Sequence, residues 1–290
     1  MTHGNSPSAE LREDRAAWEE AEVARSAVEA REAEAAGLRL GDYHVSRYVT
    51  ATTGSPYSLE YAFALLGDLR GRTVLDFGCG SGRSAVALRA KGARLLALDI
   101  SPHLLEVTRK RLAAHGLEGD TEYLLATGHE MPIPSQTVDV VFGAAILHHL
   151  DLDEAADEVW RVLKPGGIAV FIEPVRDSGL YRLLRRVFPN RSEDISPFEY
   201  PLSTAQLERF RGRFRSGPRR RFQLPGTTVL EKLGLPEALI RPARLLDRAL
   251  LGAVPALGRW ATVEVFQVAR PADAGTPAAN PGASRRPPSP

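Results

Sequence analysis

Cysteine is almost missing from this chain of 290 residues. Cys79 stands alone, which excludes an intrachain disulfide and a four-cysteine zinc site. Long apolar runs are missing too. The longest, Ala249 to Gly258, lies between Arg248 and Arg259, contains Pro255 and falls short of the ~18 residues of a membrane span. Neither charge sign dominates: 37 Lys and Arg face 36 Asp and Glu, for a net charge of +1, which argues against a nucleic-acid binder. Met1 to Trp18 holds Glu10, Arg12, Glu13, Asp14 and Arg15 but no apolar h-region, so no secretory signal is visible. A soluble cytoplasmic protein is expected. Lysine is confined to Lys91, Lys110, Lys164 and Lys232; beside so much Ala, Gly and Pro, this reads as GC-rich coding rather than phosphate binding.

With 43% hydrophobic residues, the chain suffices for one large α/β domain. Residues 8–37 are rich in Ala, Glu and Arg without Pro before Gly37, which predicts a helix. Leu11, Trp18, Ala21, Val28 and Ala35 give it a thin apolar stripe. A second helix is expected after Ser55-Pro56. An alternation follows: strands at 73–77, 94–98, 122–126, 138–142 and 168–172, with helices at 82–91, 101–115 and 153–163. Such alternation predicts βαβ units and a parallel sheet covered on both faces. Beyond Glu173 the pattern loosens. Residues 176–214 read as broken helical pieces, 220–224 as a strand, 229–251 as apolar helix interrupted at Gly234, Pro236 and Pro242, and 261–269 as a late strand. Residues 271–290 have the composition of a disordered tail.

Val74-Leu75-Asp76-Phe77-Gly78-Cys79-Gly80-Ser81-Gly82 is the sharpest motif. A buried strand ends in an acid, and three alternate glycines open a helix. A dinucleotide loop would need G-x-G-x-x-G, but Arg83 fills the last slot. Asp76 beside the loop suits a cationic ligand better than a pyrophosphate.

This loop resembles motif I of the class I S-adenosylmethionine-dependent methyltransferases of the small-molecule, type 11-like kind. Three further stretches follow in the family's order. They are Leu96-Ala97-Leu98-Asp99, then Met131-Pro132-Ile133-Pro134 with Val138-Asp139-Val140-Val141, then Val162-Leu163-Lys164-Pro165-Gly166-Gly167. The resemblance covers residues 55–175 closely. It implies that Asp76 holds the methionine ammonium of the cofactor and that Gly78, Gly80 and Gly82 let the backbone close on it. Asp99 would hold the ribose and Ile100 would pack on adenine. Thr127, Gly128 and His129 stand where the family often has Asp-Ala-Glu. Asp139, Lys164, Pro165 and Gly166 read as structural, and Cys79 as a packing residue.

Methyl transfer needs alignment and, for a hydroxyl or acidic carbon, removal of a proton. His148 and His149, in the loop after the fourth strand, are the candidate catalytic residues. Both titrate near neutrality when unperturbed. They could serve as base, polarise the acceptor, or simply fix the loop by hydrogen bonding. No Asn/Asp-Pro-Pro-Tyr motif and no acid cluster occur there, so neither amino-group methylation of adenine or glutamine nor a metal is expected. Tyr43, Tyr48 and Tyr57 are either acceptor-site or packing residues. The arginines from Arg209 to Arg221 are either a functional basic run or a solvated face. Leu230, Leu233, Leu239, Leu245, Leu246 and Leu250 either line an apolar pocket or, the preferred reading, pack a helix on the sheet. The acidic segment 1–40, nine acids against five arginines, could meet basic segment 176–221 or be solvated separately.

The expected fold is α/β: a Rossmann-like class I methyltransferase fold with a seven-stranded, mostly parallel sheet. Residues 1–54 form a helical extension, 55–175 the cofactor-binding core, 176–270 a lid insertion and completing strands, and 271–290 the tail. The expected function is methylation of a small organic acceptor at oxygen or carbon, with no nucleic-acid partner and no stable membrane insertion. A membrane-surface quinone or lipid methyltransferase and a non-catalytic cofactor-binding subunit are the competing readings.

Overall fold

A computed structural model describes residues 7–175 and 202–273, with side chains from Ala17 onward except that of Lys232. The first part of the expected lid, 176–201, and all but the start of the expected tail lie outside the described residues.

Helices α1 (Pro7–Ala35), α2 (Asp42–Val49) and α3 (Ser58–Leu65) precede the sheet. Then come β1 (Thr73–Phe77), α4 (Arg83–Ala90), β2 (Arg94–Asp99), α5 (Pro102–Ala114), β3 (Thr121–Leu125), β4 (Val138–Ala144), α6 (Leu152–Val162) and β5 (Leu163–Pro174). After the undescribed stretch follow α7 (Thr204–Arg211), β6 (Arg215–Phe222), α8 (Pro225–Lys232), α9 (Glu237–Ala253) and β7 (Val263–Ala269).

The strands form one sheet in the order β3-β2-β1-β4-β5-β7-β6. Neighbours are parallel except β7, which is antiparallel to both β5 and β6. The period-2 geometry of strands sorts their side chains into two layers. Val74, Leu95, Ala97, Val140, Phe142 and Val170 face α3, α4 and α5. Leu75, Phe77, Leu96, Leu98, Val141 and Phe171 face α6 and α7. This double coverage explains why the strands read as unbroken apolar runs. From β1 the chain builds outward to β2 on one side and later to β4 on the other. Such a reversal leaves a crevice at the carboxyl ends of the strands, where α/β sheets bind ligands.

Asp139 is structural, as expected. Its Oδ2 accepts from Thr73 N at 2.9 Å and its Oδ1 from Lys164 Nζ at 2.8 Å. Several expectations need correction. Helix α2 was not anticipated. Strand β6 starts at Arg215, not 220; Gly217 and Pro218 sit at its register shift, and the arginines hide its apolar signal. Bulge, proline and charge are what an edge strand uses against aggregation. The arginine run is neither free nor merely solvated, because Arg209, Arg213, Arg219 and Arg221 pair with Asp153, Asp157, Glu208 and Glu264. Helix α9 runs through Pro242, which lies inside it and removes one backbone donor without ending it. Leu239, Leu245, Leu246 and Leu250 do not pack on the sheet, and they line neither of the two cavities described below. They are exposed, Leu246 at 59%, as is Leu233 at 68%. The buried face of α9 carries Ile240 and Asp247 instead.

Candidate active site

The glycine loop leaves β1 at the reversal point. Gly80 has φ +52° and nothing within 4 Å of where a Cβ would sit, so its backbone borders open space. Gly82 has φ +78°, and a Cβ there would lie 2.7 Å from Thr108 Oγ1 and 2.8 Å from Thr108 Cα. Gly78 and Gly128 are also close-packed, against Ile146 and against Phe77 and Leu150. We expect Gly82→Ala to cost about 1–3 kcal/mol, since it adds both a clash and a strained backbone. A melting curve within a degree of wild type would contradict this.

Two acids flank the loop. Asp99 is buried at the end of β2; its Oδ2 accepts from Gly80 N at 2.8 Å and its Oδ1 from Ser101 N at 2.9 Å. Each carboxylate oxygen keeps a lone pair for a ligand hydroxyl. Asp76 is 1% exposed and its Oδ2 has no hydrogen-bond partner among the described residues. Burial, with Asp99 nearby, pushes its pKa up to about 8.

That shift has a sign. The native state holds the Asp76 proton up to about pH 8, whereas an unfolded aspartate loses it near pH 4. The native state therefore binds more protons in between, and this group's contribution to stability falls as pH rises from about 4 to about 8. We expect Asp76→Asn to flatten this part of the profile and to raise the melting temperature of ligand-free protein above wild type at pH 9. Identical pH profiles for the two proteins would refute the assignment.

A cleft of about 1100 Å³ opens over the loop, and α1 forms its far wall. Glu19, Glu22, Glu29 and Glu32 line it from α1, with Arg25 the one arginine among the lining residues. Burial and the charge of Asp99 raise the pKa of Glu29. This acid-lined space favours a cation. The apolar stripe expected of α1 is not its packing face. Ala30 and Ala33 pack on Leu104 and Val107 of α5, while Trp18, Ala21 and Val28 line the cleft. The described part of the acidic segment meets α5, and residues 176–201 of the basic segment lie outside the described residues. The glutamates recur at helical spacing, a signal the apolar stripe obscured.

Ile100, Thr127, Gly128 and His129 line the same cleft. Thr127 Oγ1 accepts from His129 N at 3.2 Å, and His129 Nε2 accepts from Asp151 N at 2.9 Å. His129 thereby ties the loop after β3 to the start of α6. Cys79 is buried beside Thr108 and its thiol pKa is raised by burial, which suits a packing residue.

The histidines sit in a single helical turn, Leu147–His149, after β4. They differ. His148 Nδ1 lies 3.0 Å from Oε2 of Glu173, which is 0% exposed on β5. Glu173 Oε1 accepts from Ile146 N at 3.0 Å and Leu147 N at 2.8 Å. Against a carboxylate, which can only accept, Nδ1 is the donor, and in a neutral ring Nε2 then keeps its lone pair. His149 contradicts the expectation that both titrate near neutrality. Burial, with His148 and Arg25 nearby, lowers its pKa to about 3. It packs between the rings of His148 and Trp18, at 4.1 and 6.2 Å. Trp18 Nε1 is buried in the same region without a hydrogen-bond partner among the described residues.

The tyrosines lie elsewhere. Tyr43 is 70% exposed, Tyr48 stacks on Phe63 at 5.2 Å, and Tyr57 donates to Glu237 between Arg47 and Arg244. None lines the cleft. Among the described residues no group of three or more His, Cys, Asp or Glu is placed to hold a metal.

The profile of the family described as "Methyltransferase domain" matches residues 75–171, the stretch from the glycine loop to β5. Residues 75–171 are a methyltransferase domain. Malonyl-[acyl-carrier protein] O-methyltransferase of Serratia marcescens is 37% identical over 102 residues, covering 35% of this chain and 38% of that protein. Demethylmenaquinone methyltransferase of Thermus thermophilus is 34% identical over 131 residues, covering 44% and 57%. The chain thus spans roughly two to three fifths of the length of these curated relatives. Geranyl diphosphate C-methyltransferase from Streptomyces coelicolor A3(2), solved with Mg2+, geranyl diphosphate and S-adenosyl-L-homocysteine, has the same fold. Its TM-score is 0.53 at 16% identity, over 77% of this chain and 87% of that one. The cleft suits S-adenosylmethionine. Asp76 Oδ2 is an orphaned buried acceptor, Gly80 leaves room at the loop, and the surrounding acids match the cofactor's positive charge.

Proposed function

We propose that this chain transfers a methyl group from S-adenosylmethionine to oxygen or carbon of a small organic acceptor. The observation that carries the proposal is His148, held through Nδ1 by the buried Glu173 at the rim of an acid-lined cleft. When bound, the cofactor supplies an electrophilic methyl group. Asp76 and Asp99 would hold its ammonium and ribose, with Ile100, Thr127 and Gly128 around the base. Closure of α1 over the cleft excludes water and strengthens every charge interaction inside.

His148 Nε2 receives the acceptor's proton, and Glu173 keeps the ring oriented and stabilises the resulting imidazolium. The unpartnered Trp18 Nε1 is a donor available to the acceptor. His149 is a packing partner in this scheme rather than a base. The exposed leucines of α9 favour, as a second reading, an acceptor that partitions into a membrane surface.

The test incubates the full chain with methyl-labelled S-adenosylmethionine and a pooled extract of small metabolites. Label in low-mass product, dependent on His148, is the expected result. Label confined to macromolecules, or product formed equally by His148→Ala, would refute the proposal.

A further inference from the structure

A second cavity, of about 480 Å³, lies between β6 and α9. Six arginines line it, namely Arg219, Arg220, Arg221, Arg244, Arg248 and Arg259, against two acids, Asp247 and Glu264. Both acids are engaged. Asp247 Oδ2 accepts from Leu224 N at 2.9 Å, and Glu264 Oε2 accepts from Arg221 Nε at 2.8 Å. Arg219 and Arg244 pair with Glu208 and Glu231.

The other three arginines have no carboxylate partner among the described residues. Arg220 donates to the carbonyls of Thr53 and Ser55, and Arg248 to that of Gly54, so one short loop fastens two guanidinium groups side by side. Arg220 is also clamped over the rings of Tyr61 and Phe222, at 4.1 and 4.2 Å. Burial, with Arg248 beside it, lowers its pKa to about 10. Arg259 lies over the Trp260 ring at 5.9 Å. Fixed neighbouring cations without a counter-charge repel one another, and an oxyanion between them removes that cost. The planar guanidinium matches phosphate oxygens in pairs.

Strand register places this cavity near the cleft. Glu173 pairs with Glu264, and Glu264 pairs with Arg221. Two strand spacings, about 10 Å, therefore separate Glu173 from Arg221. Glu173 stands near the carboxyl end of β5, and Glu264 and Arg221 lie level with it across the sheet.

We propose that the arginine cavity binds a phosphoryl or diphosphate group carried by an organic ligand. The inference does not depend on methyl transfer. The exposed leucines of α9 beside the cavity make a phospholipid head one source of that group, and a soluble phosphate ester the other.

Calorimetric titration of the full chain with inorganic pyrophosphate, and sedimentation with phosphatidylglycerol vesicles against phosphatidylcholine vesicles, test it. We expect saturable pyrophosphate binding, weakened at least about tenfold by Arg248→Gln and by Arg259→Gln through loss of charge-assisted contacts, at unchanged melting temperature. Arg259→Gln disturbs only a ring contact, so it remains informative if Arg248→Gln loosens the 53–55 loop. Binding to phosphatidylglycerol alone, with the same arginine dependence, supports the site and assigns the phosphoryl group to a lipid head. No saturable binding of either probe, or binding that both variants retain at wild-type strength, overturns the proposal.

Discussion

Replacing His148 with alanine should lower kcat by roughly 10²–10⁴-fold, the range for loss of a general base, while S-adenosylhomocysteine binds as it does to wild type. The reason lies in the bonding of Glu173. Its Oε1 anchors the backbone of Ile146 and Leu147, so the loop keeps a tether when the imidazole is removed. Glu173→Gln tests the other half of the pair. Its amide oxygen can still accept the backbone N–H groups, but its NH2 would face His148 Nδ1 as a donor. The ring would then carry its proton on Nε2 and could not receive another. We expect kcat to fall with little change in KM, and the double variant to be no slower than the slower single, as for residues that act as a unit. Equal loss of kcat and melting temperature in His148→Ala would mean that the histidine merely braces the loop.

Asp99→Ala should weaken S-adenosylhomocysteine binding by about 1–3 kcal/mol, because two ribose hydroxyls would be left without an acceptor. Asp99 also holds Gly80 N and Ser101 N, so some loss of stability accompanies it. Asp99→Asn separates the effects. It keeps an oxygen for one backbone N–H but places donors against the ribose, so its affinity loss should exceed its stability loss. Unchanged affinity in both variants would leave Asp99 as a strand-end cap only.

Much of this architecture is legible in the sequence because covered parallel strands are written as short, unbroken apolar runs. Leu95 to Leu98 and Ile168 to Ile172 declare themselves, and the glycine loop declares its helix. Glu173 escaped notice for a local reason. It follows the expected strand end at Ile172, where an acid reads as the first solvated residue, and only the approach of Ile146, Leu147 and His148 in space makes it a buried acceptor. The two histidines are identical in sequence, yet burial, with His148 and Arg25 nearby, depresses the pKa of His149, and Trp18, more than a hundred residues away along the chain, packs against its ring. Helix α1 misled because its sparse apolar residues suggested a packing stripe, whereas small Ala30 and Ala33 make the close contact and the larger residues face the cleft. Strand β6 was partly hidden because four arginines, a glycine and a proline lower its apparent β-propensity. The leucines of α9 show a limit of pattern reading: periodicity reveals that a helix has an apolar face, not which way that face turns.

Titration calorimetry of the full chain with S-adenosylhomocysteine, with NAD as the control, tests the central claim most directly. The ligand's ammonium group beside Asp76 favours the ionised carboxyl, so binding below about pH 8 should release a proton. The expected result is saturable binding at one site, with a heat at pH 7 that varies with the ionisation enthalpy of the buffer, and no response to NAD. Saturable binding of NAD with none of S-adenosylhomocysteine would contradict the account at its root.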